Sequence, residues 1–194
     1  GAQQAGKVVD DPYEGAVVVD PAQASPAARG YSPYAGRKYP TRPLFGDTHH
    51  HTSNSGDAFM AGNRLSPEEA YRFARGEEVV SSTGVPAKLS RPLDFLVISD
   101  HAEGLGLMFQ VYEGNPAFMQ DPILVGWNKA MKEGGKAAAD AANDVTSRQA
   151  QGTLPAPVKD PKVVGPIMKS VWQQHTATAE KYNDPGRFTA MIAY

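Results

Sequence analysis

The stretch that decides the fold is Arg91-Pro92-Leu93-Asp94-Phe95-Leu96-Val97-Ile98-Ser99-Asp100-His101-Ala102-Glu103. From Pro92 to Ile98 it is nearly continuously apolar. Such a run suits a strand buried on both faces, as in a parallel sheet. The run ends in two carboxyls, an imidazole and a hydroxyl. Open α/β sheets gather ligands at the carboxyl ends of their strands, so Ser99 to Glu103 stands where chemistry is expected.

Working outward, Leu44-Phe45-Gly46-Asp47-Thr48-His49 is a short strand after the breakers Pro40 to Pro43. A helix then starts at Ser66-Pro67-Glu68-Glu69. Ser66 is its N-cap, Pro67 its first helical residue and Glu69 the far side of a capping box. Ala70, Tyr71, Phe73 and Ala74 continue it, and Gly76 ends it. Residues 104–185 carry no good strand signal. Segments 117–133 and 136–149 read as helices, 152–161 as a linker with three prolines, and Asp160-Pro161 as the cap of a last helix that stops at Asn183-Asp184-Pro185-Gly186. Phe188 to Tyr194 reads as a third strand. The order is strand, helix, strand, long helical insertion, strand: an α/β fold in which helix dominates by residue count. A complete α/β barrel takes about 200–250 residues, so the sheet is expected to be part of a larger one. Residues 1–43, with six prolines among Gly, Ala and Ser, read as an extended N-terminal arm.

The chain has 194 residues, one ordinary domain or part of a larger one. Its formal net charge of −2 argues against a nucleic-acid partner held by bulk positive charge. No run approaches about 18 apolar residues, so no membrane span is expected. With no cysteine, thiolate nucleophiles and Cys-ligated metals are excluded. No Gly-x-Ser-x-Gly elbow and no P-loop occurs. Ala2-Gln3-Gln4-Ala5-Gly6 resembles a mature N-terminus left after signal cleavage, which points to a periplasmic or secreted protein. A plain cytoplasmic N-terminus is the alternative.

Any metal site must therefore use His and carboxylates, and four of the five histidines fall in two short motifs. The first is Asp47-Thr48-His49-His50-His51-Thr52-Ser53-Asn54-Ser55-Gly56-Asp57. On an extended chain His49 and His51 share a face and His50 takes the other. Two such imidazoles can converge on one cation. Asp57 lies past a Ser/Gly turn able to fold it back beside them. The second motif is Ser99-Asp100-His101-Ala102-Glu103, where Asp100 and Glu103 each stand open between ligand, general base and orienting partner of an imidazole. His175 falls in a helix away from both motifs and reads as structural. Trp127 and Trp172 read as core residues of the insertion.

These motifs resemble a known family. Gly46-Asp47-Thr48-His49-His50-His51-Thr52 with Asp57-Ala58-Phe59 looks like the first motif of the PHP (polymerase and histidinol phosphatase) superfamily. Pro67 to Gly76 and Arg91 to Glu103 make the domain of unknown function 3604 family the closer match. The resemblance covers residues 44–103 well and 187–194 loosely. It implies the N-terminal portion of a PHP-like distorted (β/α)7 barrel, with a two- or three-metal centre at its C-terminal mouth. It implies that His49 and His51 bind one metal, that Asp57 is a further ligand, and that His101 serves a neighbouring metal. Zinc, manganese or iron fits such a ligand set. The family pattern next expects a bridging carboxylate after the third strand, where this chain ends, and later His ligands. The expectation is thus an N-terminal piece, with the rest of the polypeptide as its partner, possibly as a separate chain.

The function expected is metal-dependent hydrolysis of a small anionic ester, a phosphate or sulfate, by a metal-activated water. Asp100 or Glu103 would orient a ligand or handle a proton. The alternative is a metal-binding or scaffold domain without turnover. The insertion at 104–185 reads as a lid or wall beside the metals, an oligomer contact or a buttress.

Overall fold

The computed structural model describes residues 42–194. The proposed arm at 1–43 lies, apart from Arg42 and Pro43, outside the described residues. Three parallel strands form the central sheet in the order β1-β4-β5, with β1 at Gly46–His50, β4 at Phe95–Ile98 and β5 at Thr189–Ile192. The apolar run takes the central place because it alone is closed off on both faces: Leu96, Val97 and Ile98 are all buried. At the start of the β1–β4 pairing Gly46 faces Phe95. A Cβ on Gly46 would meet the Phe95 carbonyl oxygen at 2.4 Å, so only glycine allows this approach.

Helix α1 (Gly56–Met60) follows β1, and helix α2 (Pro67–Ala74) comes next. α2 starts as its sequence dictates, with the Ser66 amide donating to Glu69 at 2.8 Å. A two-stranded hairpin, β2 (Val79–Val80) with β3 (Pro86–Ala87), stands between α2 and β4. Sequence reading misses α1, this hairpin and the helix Leu107–Glu113 that opens the insertion. A five-residue helix and two-residue strands are too short to show a period. Helices α3 (Leu107–Glu113), α4 (Pro122–Glu133), α5 (Gly135–Gln151) and α6 (Pro161–Tyr182) build the insertion. Asp121 and Asp160 cap α4 and α6, each through its side chain. The described residues are 48% helical, which agrees with a helix-dominated α/β chain. Among them the sheet has three main strands and does not close into a barrel.

Two cores result. One joins sheet and flanking helices: Ala70, Tyr71 and Ala74 of α2, Leu96 and Ile98 of β4, Ala179 and Tyr182 of α6, and Phe188. Tyr71 stacks on Tyr182 at 5.8 Å, and Glu68 of α2 accepts from Lys181 (2.6 Å) and the Tyr182 hydroxyl (2.8 Å) of α6. The other core lies inside the insertion around Val111, Phe118, Leu124, Trp127 and Met131. Trp127 is a core residue as expected; Trp172 is only half-buried and stacks on His175. Phe59 of α1, fully buried, belongs to this second core. The segment after β1 is thereby anchored to the insertion as well as to the sheet.

Candidate metal centre

Both histidine motifs sit at the carboxyl ends of adjacent parallel strands, β1 and β4. The pairing is irregular just where the histidines begin, with a register shift between Asp47 and His50. Asp47 turns back on its own strand there, accepting from the His49 amide at 2.8 Å. His49 and His51 still converge, their ring centroids 4.9 Å apart. His51 also meets His101 from the neighbouring strand, edge to face at 4.8 Å.

Asp57 completes the group. The turn Thr52-Ser53-Asn54-Ser55 brings it back, so that its Oδ2 lies 3.0 Å from His51 Nδ1 and 3.4 Å from His101 Nε2. The donor atoms of His51, Asp57 and His101 all lie within 4.8 Å of one another. A tetrahedral ion with bonds of about 2.0–2.1 Å holds its ligand atoms about 3.3 Å apart. The two separations at Asp57 fall on either side of that value and the group as a whole lies within 4.8 Å, so these three side chains could hold a divalent cation once drawn together. His49 stands beside the group rather than in it, its ring against that of His51.

The segment is held in place by three ties to the loop after β4. Asp100, 1% exposed, accepts from the Thr52 amide (2.5 Å) and from the Thr52 hydroxyl (2.6 Å). Ser55, fully buried, accepts from the His101 amide (3.2 Å) and donates to Asp57 Oδ1 (2.6 Å). The Gly106 amide donates to the Asn54 carbonyl at 2.7 Å. Of the three roles left open for Asp100, its oxygens are engaged in positioning: they bind the backbone that carries His51 and Asp57. Glu103 is exposed, outside the His/Asp group, on the rim of the cavity that Asp57 and His101 also line.

The chain of that sequence matches the family model "Protein of unknown function (DUF3604)" over residues 38–194. The chain belongs to the DUF3604 family. No curated protein and no solved structure matches it. The DUF3604 match takes in both histidine motifs and the whole helical insertion, well beyond the 44–103 stretch where the sequence resemblance was strongest.

The electrostatics of this DUF3604 site are set by its hydrogen bonds. Partial burial pushes the Asp57 carboxyl up, but bonds from Ser55, His51 and the Ala58 amide outweigh it and bring the pKa down to about 2. Asp57 is therefore an anion ready to take a cation at neutral pH. His50 behaves as its place in the strand predicts. It stays out of the cluster, with Nδ1 3.9 Å from Asp47, and burial lowers its pKa against the pull of Asp47 and Asp100. His175 differs from expectation in one respect. Although remote in sequence, α6 carries it close enough to feel the Asp100 charge; it is 1% exposed and burial lowers its pKa. Sequence reasoning missed Ser55 and Thr52 altogether. Their signal was the run of small hydroxyl residues between the histidines and Asp57, which reads locally as no more than a turn.

Proposed function

We propose that this chain supplies part of a divalent-metal centre in a metal-dependent hydrolase acting on phosphate or sulfate esters, within a PHP-like barrel. The observation that carries the reading is the convergence of His51, Asp57 and His101 from two parallel strand ends, with His49 alongside. A bound divalent cation lowers the pKa of its water toward about 7 and steadies the anionic oxygens of an ester. His51, His101 and Asp57 would hold that cation, with His49 next to it. Asp100 would keep the ligand-bearing segment in place, and Glu103, on the rim, would exchange a proton with substrate. Zinc, manganese and iron all suit imidazole with carboxylate. Further strands would supply the remaining ligands.

The test is metal uptake by calorimetry and elemental analysis, with zinc and with manganese. The chain is expected to take up about one equivalent, and H51A, D57N and H101A each to weaken uptake at least about 10-fold. Phosphate or sulfate release from aryl esters, measured on the full-length protein, then reports turnover. Uptake that none of the three substitutions changes would sink the proposal. The second reading is a metal-binding or scaffold domain without turnover. Metal uptake with no ester hydrolysis in the full-length protein would support it.

A further inference from the structure

The His/Asp group opens onto a cavity of about 1270 Å³ that runs away from the sheet into the helical insertion. This exceeds the range of about 300–1,000 Å³ usual for small-molecule sites. Asp57 and His101 stand at one end, while Trp127, Met131, Val164 and Met168 line the insertion side. The volume has a local cause. Helix α5 lines it with the small residues Gly135, Ala138, Ala139 and Ala142 along with Asn143, Val145, Thr146 and Gln149.

The charge on the wall restricts what can occupy it. Arg64 is the one Lys or Arg among the described lining residues, and one of its guanidinium nitrogens is already engaged. Its guanidinium donates to the carbonyls of Phe59 (2.5 Å) and Asn63 (3.0 Å) and lies 3.8 Å over the Phe59 ring. The indole N–H of Trp127 is likewise spent on Asp144 at 2.9 Å. The rest of the wall offers mostly apolar and thioether surface, with Asn143, Thr146 and Gln149 as neutral polar groups and Arg64 as its single Lys or Arg. A second phosphate, as in a nucleotide or a polyphosphate, would find one arginine and no lysine along this wall. Methionine side chains adapt to bulky apolar shapes.

We infer that the insertion forms the recognition wall for the alcohol part of the substrate, and that the substrate is a monoester of a bulky apolar alcohol. Its single anionic group lies at the His/Asp cluster and its aryl or alkyl body in the cavity. The inference rests on the proposed metal centre for the anionic end and deepens that reading.

The test compares 2-naphthyl phosphate with methyl phosphate by calorimetry, on the chain with and without zinc. Zinc uptake is measured separately, so failure of the metal centre registers as lack of uptake. Failure of this inference registers as equal affinity for the two esters in both zinc states. The expected result is naphthyl phosphate binding at least about 10-fold more tightly, with quenching of tryptophan fluorescence. A142W should narrow the cavity and weaken that preference while zinc uptake persists; A138L is a milder obstruction if the first variant folds poorly. Tighter binding of a bisphosphate than of naphthyl phosphate, or a preference unchanged in both variants, overturns the inference.

Discussion

Asp100→Ala is the most informative perturbation, because Asp100 couples the two strand ends without belonging to the His/Asp group. Its two oxygens accept from the Thr52 amide and hydroxyl, and both residues are 1% exposed. A hydrogen bond to a charged group contributes about 1.5–3 kcal/mol, and a buried donor left without a partner costs about 1–3 kcal/mol. Losing both bonds, with the Thr52 amide orphaned, should cost about 3–5 kcal/mol out of a typical total of about 5–15 kcal/mol. Asp100→Asn keeps an acceptor for the amide, and the Thr52 hydroxyl can rotate to accept from the new NH2. Two charge-assisted bonds become two neutral ones, for a cost of about 1–2 kcal/mol. Thr52→Val removes the hydroxyl bond alone and should cost about 1–2 kcal/mol in the natural background and much less beside Asp100→Ala, because the partner is already gone. Urea unfolding of the natural protein, the three single variants and the Asp100→Ala/Thr52→Val double variant measures all of this. In the same series Asp100→Ala should weaken zinc uptake about 10–100-fold, as removal of a ligand's support usually does, and Asp100→Asn far less. An Asp100→Ala cost under about 1 kcal/mol, or strict additivity with Thr52→Val, would refute the argument that this pair clamps the site.

Three further outcomes follow from the same structure. Gly106→Ala should lower stability by about 1–3 kcal/mol in urea unfolding, since a Cβ there meets Val171 at 2.7 Å with φ at +74°; an unchanged midpoint would contradict the close approach of α6. Leu124→Ala, at a fully buried position of the insertion core, should cost about 2–5 kcal/mol, and a cost below about 1 kcal/mol would mean the insertion packs loosely. His175 is held neutral by burial, so its folded pKa lies below the ordinary 6.5. The unfolded chain then binds the extra proton, and stability present above 6.5 is lost as pH falls toward the folded value. His50 pulls the same way. His175→Phe should shallow the loss between about pH 7.5 and about pH 5.5, and an unaltered pH profile would remove His175 as a contributor.

Much of this protein is legible in one dimension, for a physical reason: the signals are local. The run from Phe95 to Ile98 announces a strand buried on both faces, and it is the central strand. The box of Ser66 and Glu69 places the start of α2 to the residue, and Asp160 that of α6. Alternation along the strand puts His49 and His51 together and His50 aside, and that survives even the register shift after Asp47. Caps, alternation and apolar runs depend on residues a few positions apart, so the sequence states them outright.

What tertiary structure alone decides is which loops close on one another. Thr52 and Asp100 are 48 residues apart, Ser55 and His101 46 apart, and no local pattern pairs them. Their contact exists because β1 and β4 lie side by side in parallel, which brings both loops to the same end of the sheet. The same pairing turns Asp100 from a candidate proton carrier into a clamp. Helix α6 brings His175 within reach of the Asp100 charge, and His49 stays beside rather than inside the group formed by His51, Asp57 and His101. The cavity is likewise a property of packing: α5 lines it with Ala138, Ala139 and Ala142 beside residues of the other insertion helices, a juxtaposition no local pattern states.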